Sequence, residues 1–364
     1  MELLKNWFKR YFSDPQVVIL GVVLLAGLFV VIGLGKWLAP MFAAIIIAYL
    51  LEALVARLQN IGLPRMPSVI IAFLGFLALL FFLLFVVIPR ISRQLTQLVQ
   101  QFPEYLAKGQ EALIGLPARY PHLITEEQVQ GMMTAISQEL GTAGQQLLSW
   151  SLASVPVLFG LAIFLVLVPV LVFFLLKDKE QMIRWFVGFL PSDRSLVNTV
   201  WTEAETQIAN YVRGKVLEIF IVGAVTYVTF ILLGLEYAAL LAALTGFSVL
   251  IPYIGAAVVT FPIALVAWFQ FGWGIEFGQI IFAYGIIQAL DGNVLVPLLF
   301  SEVVNLHPVA IILAILVFGG LWGFWGIFFA IPLATLVHAV LRAWPRDAET
   351  RLVEEQASQP VEAS

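Results

Sequence analysis

Apolar residues in this chain are grouped in long runs that polar stretches separate. About 20 consecutive apolar residues in a helix cross a hydrocarbon core of about 30 Å. Runs of that length cover residues 17–34, 37–58, 68–89, 151–176 and 216–234. They predict three transmembrane spans within residues 17–89, a fourth at 151–176 and a fifth that opens the C-terminal membrane region, residues 216–343.

The apolar pattern changes after the fifth run. Residues 237–270 and 307–340 are too long for one straight span, and each is broken at glycine or proline, while residues 277–300 lie between them. Two interpretations remain open. Each long segment is either two short spans or a re-entrant helical hairpin. Counting each segment as one ordinary span gives about eight spans in all, and counting each as a hairpin gives six spans plus two hairpins. Both interpretations predict an all-α polytopic membrane protein with about eight hydrophobic elements.

Two polar segments separate the apolar runs. Residues 90–150 carry apolar side chains at helical spacing, beginning with Ile91, Leu95 and Leu98, which predicts an amphipathic helical segment on the extracytoplasmic side. That segment either packs on itself as a solvated cap or forms a lid or an oligomer contact. Residues 177–215 have a similar character and are predicted to be a cytoplasmic helical linker.

Lysine and arginine residues predict the orientation. They concentrate in the lead-in (1–16), in the connection before the third span, in the linker (177–215) and in the tail (344–364). Because basic loops stay on the cytoplasmic side, both termini are predicted to be cytoplasmic. No Lys or Arg occurs between Lys215 and Arg342, so this rule does not separate the two interpretations of the C-terminal half.

Composition agrees with a protein that lipid solvates. The chain has 364 residues, of which 61% are hydrophobic and 12% are charged, whereas soluble domains carry about 25% charged residues. The net charge of −4 does not favour nucleic acid as a partner. The chain has no cysteine and three scattered histidines, and it contains no phosphate-binding glycine loop. We therefore expect no cofactor, no metal site and no enzymatic activity.

Breaks in apolar helices are candidate binding sites, because they expose helix ends that can hold ions or polar solutes. Each break also has a structural interpretation: a simple kink, an interfacial turn, a helix cap at Asn305 or His307, or tight helix packing at glycines. The candidate residues, in chain order, are Pro252 and Gly255; Asp291, Gly292, Asn293 and Pro297; Glu302, Asn305 and Pro308; and Gly319, Gly320 and Gly323.

All charged side chains between Lys215 and Arg342 are acidic, which suits a pathway for cations or protons. We expect Asp291 to be the carboxylate that couples transport to an ion. Glu218 lies three residues after Lys215, so an ordinary ion pair on one helix accounts for it. The residues expected to line the pathway are Pro252, Gly255, Asp291, Asn293, Glu302 and Asn305.

Four stretches of the sequence carry a resemblance to a known family. They are FLLKDKEQMIRWFVGFLP (174–191), NYVRGKVLEIFIVG (210–223), GFSVLIPYIGA (246–256) and ALDGNVLVPLLFSEVVNLHPVAIILAILVFGGLWGFWGIFFAIPLATLV (289–337). The chain resembles the autoinducer-2 exporter-like permease family, in its PerM-type branch. It departs from the usual pattern at Lys215, where the family often has glutamine, and at Asp291, where it often has glutamate.

The resemblance implies a permease of the bacterial inner membrane. Family members are described as exporters of autoinducer-2 or as sodium- or lithium-proton antiporters. The resemblance also implies a homo-oligomer, expected to be a pentamer, and an elevator-like mechanism with hairpins, which favours the interpretation with six spans and two hairpins. We therefore expect a secondary transporter that exports a small polar solute, such as a signalling molecule, driven by H+ or Na+. The alternative is a passive channel or an oligomeric membrane scaffold that transports nothing.

Overall fold

A computed structural model describes residues 37–114, 154–188, 195–252, 254–300 and 307–343, with a few isolated positions before residue 34 and at 131. The predicted first span (17–34) therefore lies almost wholly outside the described residues, as do the second half of the predicted extracytoplasmic segment and Glu302 and Asn305.

Every element in the described ranges is helical. In chain order the elements are α1 (Ala39–Asn60), α2 (Arg65–Phe82), a π-helical segment π1 (Leu83–Val87), α3 (Ile88–Ile114), α4 (Ser154–Lys177), α5 (Lys179–Val187), α6 (Ser195–Leu232), α7 (Ala238–Ser248), α8 (Ile254–Phe271), α9 (Ile275–Leu290), π2 (Asp291–Leu295), α10 (Val296–Phe300), α11 (Pro308–Trp322), α12 (Phe324–Phe328) and α13 (Ala330–Ala343).

Five described helices are long and apolar enough to cross a membrane. They are Ala39–Asn60, Arg65–Gly109, Glu205–Leu232, Ile254–Phe271 and Ile275–Phe300. Shorter apolar helices accompany them, including Ala238–Ser248 and Pro308–Trp322. The chain is thus an all-α polytopic membrane protein, and the predicted fold class is confirmed.

A proline follows shortly after each of the two π-helical segments, Pro89 after the first and Pro297 after the second. A proline ring has no N–H and clashes with the carbonyl group four residues earlier in an α-helix. For Pro89 that carbonyl belongs to Phe85, and for Pro297 it belongs to Asn293; each is the middle residue of its π segment. The wider π turn lets the helix continue past the proline without the clash. Residues 291–293 therefore lie inside a continuing helix and do not form a turn.

The chain forms two compact units. The first comprises Met1–Ala39, Glu180–Arg213 and Phe300–Ser364, and the second comprises Pro40–Lys179 and Gly214–Leu299. In the second unit, fully buried side chains from α6, α7, α8 and α9 form one apolar core. Its centre consists of Phe230, Leu241, Ile263 and Ile280.

Residues 237–270 fold back on themselves as a helical pair in the second unit, called the first hairpin below. At its tip, Gly255 lies so close to the Ser248 carbonyl group that a Cβ atom would collide with it. At its open end, the Gln270 side chain accepts a hydrogen bond from the Glu236 N–H and donates one to the Gly234 carbonyl group, both at 2.8 Å. These contacts at both ends show that α7 and α8 run antiparallel.

A second hairpin lies in the first unit. It consists of α11, followed by α12 and α13, and the chain reverses at Gly323, whose φ of 62° is in the left-handed region that favours glycine. Past the turn, a Cβ atom on Gly326 would collide with the Phe318 carbonyl group. Both long C-terminal segments are therefore hairpins in form.

The amphipathic helix α3 continues the helix of α2 through π1 and packs on the open end of the first hairpin. The Tyr237 hydroxyl donates to Gln101 Oε1 at 2.6 Å, and the Leu240 N–H donates to Gln94 Oε1 at 2.8 Å. The rings of Tyr105 and Phe269 stack with their centroids 4.5 Å apart. The sequence pattern predicted the amphipathic helix but not this partner.

Candidate functional site

A buried ion pair marks the candidate site in the second unit. Lys215 Nζ lies 2.6 Å from Glu218 Oε2, and the two residues are only 4% and 2% exposed. The same ammonium group donates to the Val249 carbonyl oxygen at 3.0 Å. The i,i+3 pair that the sequence predicts is confirmed. Its burial, and its contact with the tip of the first hairpin, were not predicted.

Three elements supply this site. Lys215 and Glu218 lie on α6, Val249 is the residue that ends α7, and π2 begins at Asp291. Apolar side chains on these elements and on α9 pack together beside the polar groups: Val222, Val249 and Ile287 are buried, with Ile219 and Leu295 against them. The apolar cluster therefore fixes the distance between the charged groups.

A glycine pair brings α6 and α7 close together. A Cβ atom on Gly246 would lie 2.9 Å from the Ile219 carbonyl oxygen and 3.3 Å from Gly223 Cα. Small residues at such crossings let backbones approach closely. Because of this close approach, the end of α7 lies beside the turn of α6 that carries Lys215.

Asp291 completes the cluster from π2. It interacts electrostatically with both Lys215 and Glu218. Its Oδ1 atom is buried and has no hydrogen-bond partner among the described residues. Two residues on, the Asn293 side chain is exposed and donates back to the Ala289 carbonyl group at 2.8 Å. The buried Asp291 oxygen therefore adds a second negative charge beside the ion pair, whereas the exposed Asn293 side chain bonds back to its own helix.

The cluster can bind and release one positive charge. Fully ionised, it holds one ammonium and two carboxylates, so its formal charge is −1. A buried carboxylate oxygen without a partner is unfavourable in an apolar surrounding. The Val249 carbonyl adds the negative end of the α7 dipole. Among the described residues, no group of three or more His, Cys, Asp or Glu side chains could hold a metal ion. One added positive charge would bring the formal charge of the cluster to zero.

The other expected site residues divide between the two units. Pro252 and Gly255 lie in the tip of the first hairpin, in the same turn as Val249. Gly292 is exposed within π2, and Pro297 follows in α10. The structure thus brings Asp291 together with the hairpin tip, while Asn293 and Gly292 face away from the buried pair.

The remaining candidates belong to the second hairpin. Pro308 is the first residue of α11, and His307 caps this helix because its Nδ1 accepts from the Val309 N–H at 3.3 Å. Gly319 and Gly320 lie within α11, and a Cβ atom on Gly319 would lie 2.9 Å from Cγ1 of Ile327 on α12. Gly323 forms the turn itself.

Two functional candidates were missed in the sequence. Lys215 and Glu218 were assigned to an ordinary ion pair, although an ionisable pair inside an apolar span is a functional candidate by default. Their position at the start of the region without further basic residues was the available signal. The contribution of the Val249 carbonyl group had no signal in the sequence, because it depends on where α7 ends in space.

A separate polar cluster joins other helices of the second unit. Glu52 Oε1 receives Arg65 at 3.4 Å and Lys179 at 3.2 Å. Arg65 also donates to the Leu176 carbonyl group at 3.1 Å. The cluster connects α1, the start of α2 and the end of α4. We interpret it as structural, because its basic groups outnumber its acid and they stay partly exposed.

Known proteins resemble the chain over nearly its whole length. A family model described as "AI-2E family transporter" matches residues 17–346. The protein named "Putative permease PerM" in Escherichia coli strain K12 is 50% identical over 345 residues, which cover 95% of this chain and 98% of that protein. "Putative transport protein YueF" of Bacillus subtilis strain 168 is 28% identical over 312 residues, covering 84% of this chain and 82% of that protein.

Proposed function

Because this chain belongs to the AI-2E family of transporters, we propose that it is a secondary transporter that exports a small polar solute across the bacterial inner membrane. The observation that carries the proposal is the buried cluster of Lys215, Glu218 and Asp291 at the tip of the first hairpin. Ionisable groups inside a membrane span mark the pathway of an ion or a substrate.

Coupling to an ion gradient follows from the charge of this cluster. Its unpartnered Asp291 oxygen becomes neutral when it binds a proton or a monovalent cation. Transport driven in this way requires the ion and the solute to influence one another's binding. The hairpin tip, which touches the cluster through Val249, is the element through which they would do so.

The moving part of the transporter is a hairpin. One hairpin lies in each unit, and discontinuous helices of this kind line solute sites in many secondary transporters. Together with what the resemblance to the family implies, this supports an elevator-like mechanism within a homo-oligomer, expected to be a pentamer. A small signalling molecule is the solute class that the family's description suggests.

The proposal is tested with purified protein in liposomes. Wild type is expected to exchange protons or Na+ across the membrane and to accumulate a solute against its gradient. Asp291→Asn removes the exchangeable charge and should lower ion exchange to the level of empty liposomes. The matched control is Glu276→Gln, the same loss of charge at an exposed residue of α9, and it should behave like wild type.

Each alternative has its own outcome in this experiment. Ion exchange by Asp291→Asn that equals wild type contradicts the coupling role of Asp291. Solute flux that follows its own gradient without counterflow indicates a passive channel. No flux of any kind indicates a scaffold that transports nothing.

A further inference from the structure

We propose that Lys215 is a resident cation: its ammonium group fills a cation position built from the Val249 carbonyl oxygen and the Glu218 carboxylate. The exchangeable charge of the cluster is therefore a proton at Asp291 and not Na+. The filled position follows from the geometry alone, whereas the role of the proton in coupling rests on the proposed function.

The surroundings of the ammonium group are those of a bound cation. A backbone carbonyl at the end of α7 lies at 3.0 Å and a carboxylate oxygen at 2.6 Å, and hard monovalent cations bind oxygen atoms of these kinds. The carbonyl is one of the last of its helix, which lack a partner within the helix and carry partial negative charge. Lys215 is 4% exposed, so its charge is held by these oxygens and not by water.

Occupation of this position decides which ion can exchange. Na+ needs several oxygen ligands at once, and Lys215 already uses the carbonyl and the Glu218 oxygen. A proton needs one oxygen, and the buried Oδ1 of Asp291 is available among the described residues. With one ammonium and two carboxylates, one proton brings the cluster to zero charge.

Removing the ammonium should open the position to Na+. We would compare the thermal unfolding of purified wild type and Lys215→Gln in detergent, in NaCl and in choline chloride of equal ionic strength. A ligand that binds only the folded state raises its unfolding temperature. We expect NaCl to raise that of Lys215→Gln by roughly 3 °C or more and to leave wild type unchanged.

Two further variants separate the site from general salt effects. Lys108→Gln removes the lysine of an exposed pair with Glu104, whose Nζ–Oε1 distance is 3.1 Å, and it should show no Na+ effect. Lys215→Gln/Glu218→Gln removes the ammonium with its counter-charge. It also removes the carboxylate that builds the cation position, and the cluster keeps the wild-type formal charge of −1, so the Na+ effect should disappear.

Several outcomes would overturn the inference. The first is that NaCl stabilises wild type, which can be measured even if Lys215→Gln fails to fold. The second is that Lys215→Gln folds and NaCl does not change its unfolding temperature. Unfolding in detergent does not require transport. A lack of ion flux in liposomes therefore contradicts the proposed function but leaves the result of the unfolding experiment unchanged. Stabilisation of wild type by Na+ contradicts the inference about Lys215 even if transport is found.

Discussion

Gly255 shows how much one residue decides at the tip of the first hairpin. The chain reverses within a few residues there, and the Ser248 carbonyl group occupies the space that a Cβ atom needs. The colliding atom belongs to the backbone, so no flexible side chain can move aside. Sequence reasoning selected Gly255 as a pathway residue because it permits close backbone approach, and the structure identifies the group that approaches.

Gly255→Ala should destabilise the protein. Inserting a methyl group into a packed site costs about 1–3 kcal/mol, and more where the backbone must shift. The unfolding temperature in detergent is expected to fall by roughly 3 °C or more.

The control for this substitution is Gly278→Ala on α9, where nothing lies within 4 Å of the added Cβ atom. Alanine is favoured over glycine inside a helix, so Gly278→Ala should be neutral or stabilising. No loss in Gly255→Ala would show that the tip tolerates a side chain, and an equal loss in Gly278→Ala would show that the loss is not specific to the tip.

At the scale of elements, one side chain, Gln270, links the two ends of the first hairpin to each other. Gln270 on α8 satisfies the Glu236 N–H and the Gly234 carbonyl group that precede α7. Neither group has a place in a regular helix, because both lie in the connection after α6. The Gln270 side chain therefore holds the open end of the hairpin closed, and it also satisfies the backbone groups of the connection between α6 and α7.

Gln270→Ala should loosen the open end of the hairpin without unfolding the protein. The loss of two hydrogen bonds at 2.8 Å is expected to cost about 1–3 kcal/mol locally. Hydrogen exchange measured by mass spectrometry should show faster exchange around Glu236, by roughly tenfold or more. Gln279→Ala on the exposed face of α9 is the control. Unchanged exchange in Gln270→Ala would contradict the closing role.

The helix α9–π2–α10 continues where the sequence pattern predicted an interruption. A run of Asp, Gly and Asn inside an apolar segment indicated an interruption, since these residues are typical of turns. In the structure the helix continues, because π2 removes the clash of Pro297 with the Asn293 carbonyl group. The turn propensity of these residues is outweighed by the need of a helix in lipid to keep its backbone hydrogen bonds continuous.

At the scale of the whole molecule, the hairpins change the expected number of membrane crossings. If residues 237–270 crossed once, the connection between α8 and α9 would lie on the cytoplasmic side. As a hairpin, the segment returns to the side from which it started. With a cytoplasmic N-terminus, that side is extracytoplasmic.

Labelling of single cysteines distinguishes these topologies, because the chain has no native cysteine. Trp273→Cys lies in the connection after α8, where the tryptophan is 82% exposed. A membrane-impermeant maleimide added to intact cells is expected to label it. Trp37→Cys should label from outside under either topology, and Asp178→Cys only after permeabilisation. If Trp273→Cys requires permeabilisation, residues 237–270 cross the membrane once.

The sequence by itself determined the class of the molecule and the approximate position of its helices. Apolar run length is a local property, and lipid forces any such run to satisfy its backbone hydrogen bonds within a helix. Glycine and proline also act locally, so the hairpin tips at Gly255 and Gly323 were among the candidates before any fold was known. The resemblance to a known family added the prediction that the protein is a transporter.

Only the tertiary structure decided which polar groups meet. Lys215 and the Val249 carbonyl group are 34 residues apart in the chain, and Asp291 reaches them from a third element. Their meeting depends on the packing of α6, α7 and α9 around Val222 and Ile287. A pattern along one helix carries no information about such distances, because they arise from how separate apolar faces pack against one another.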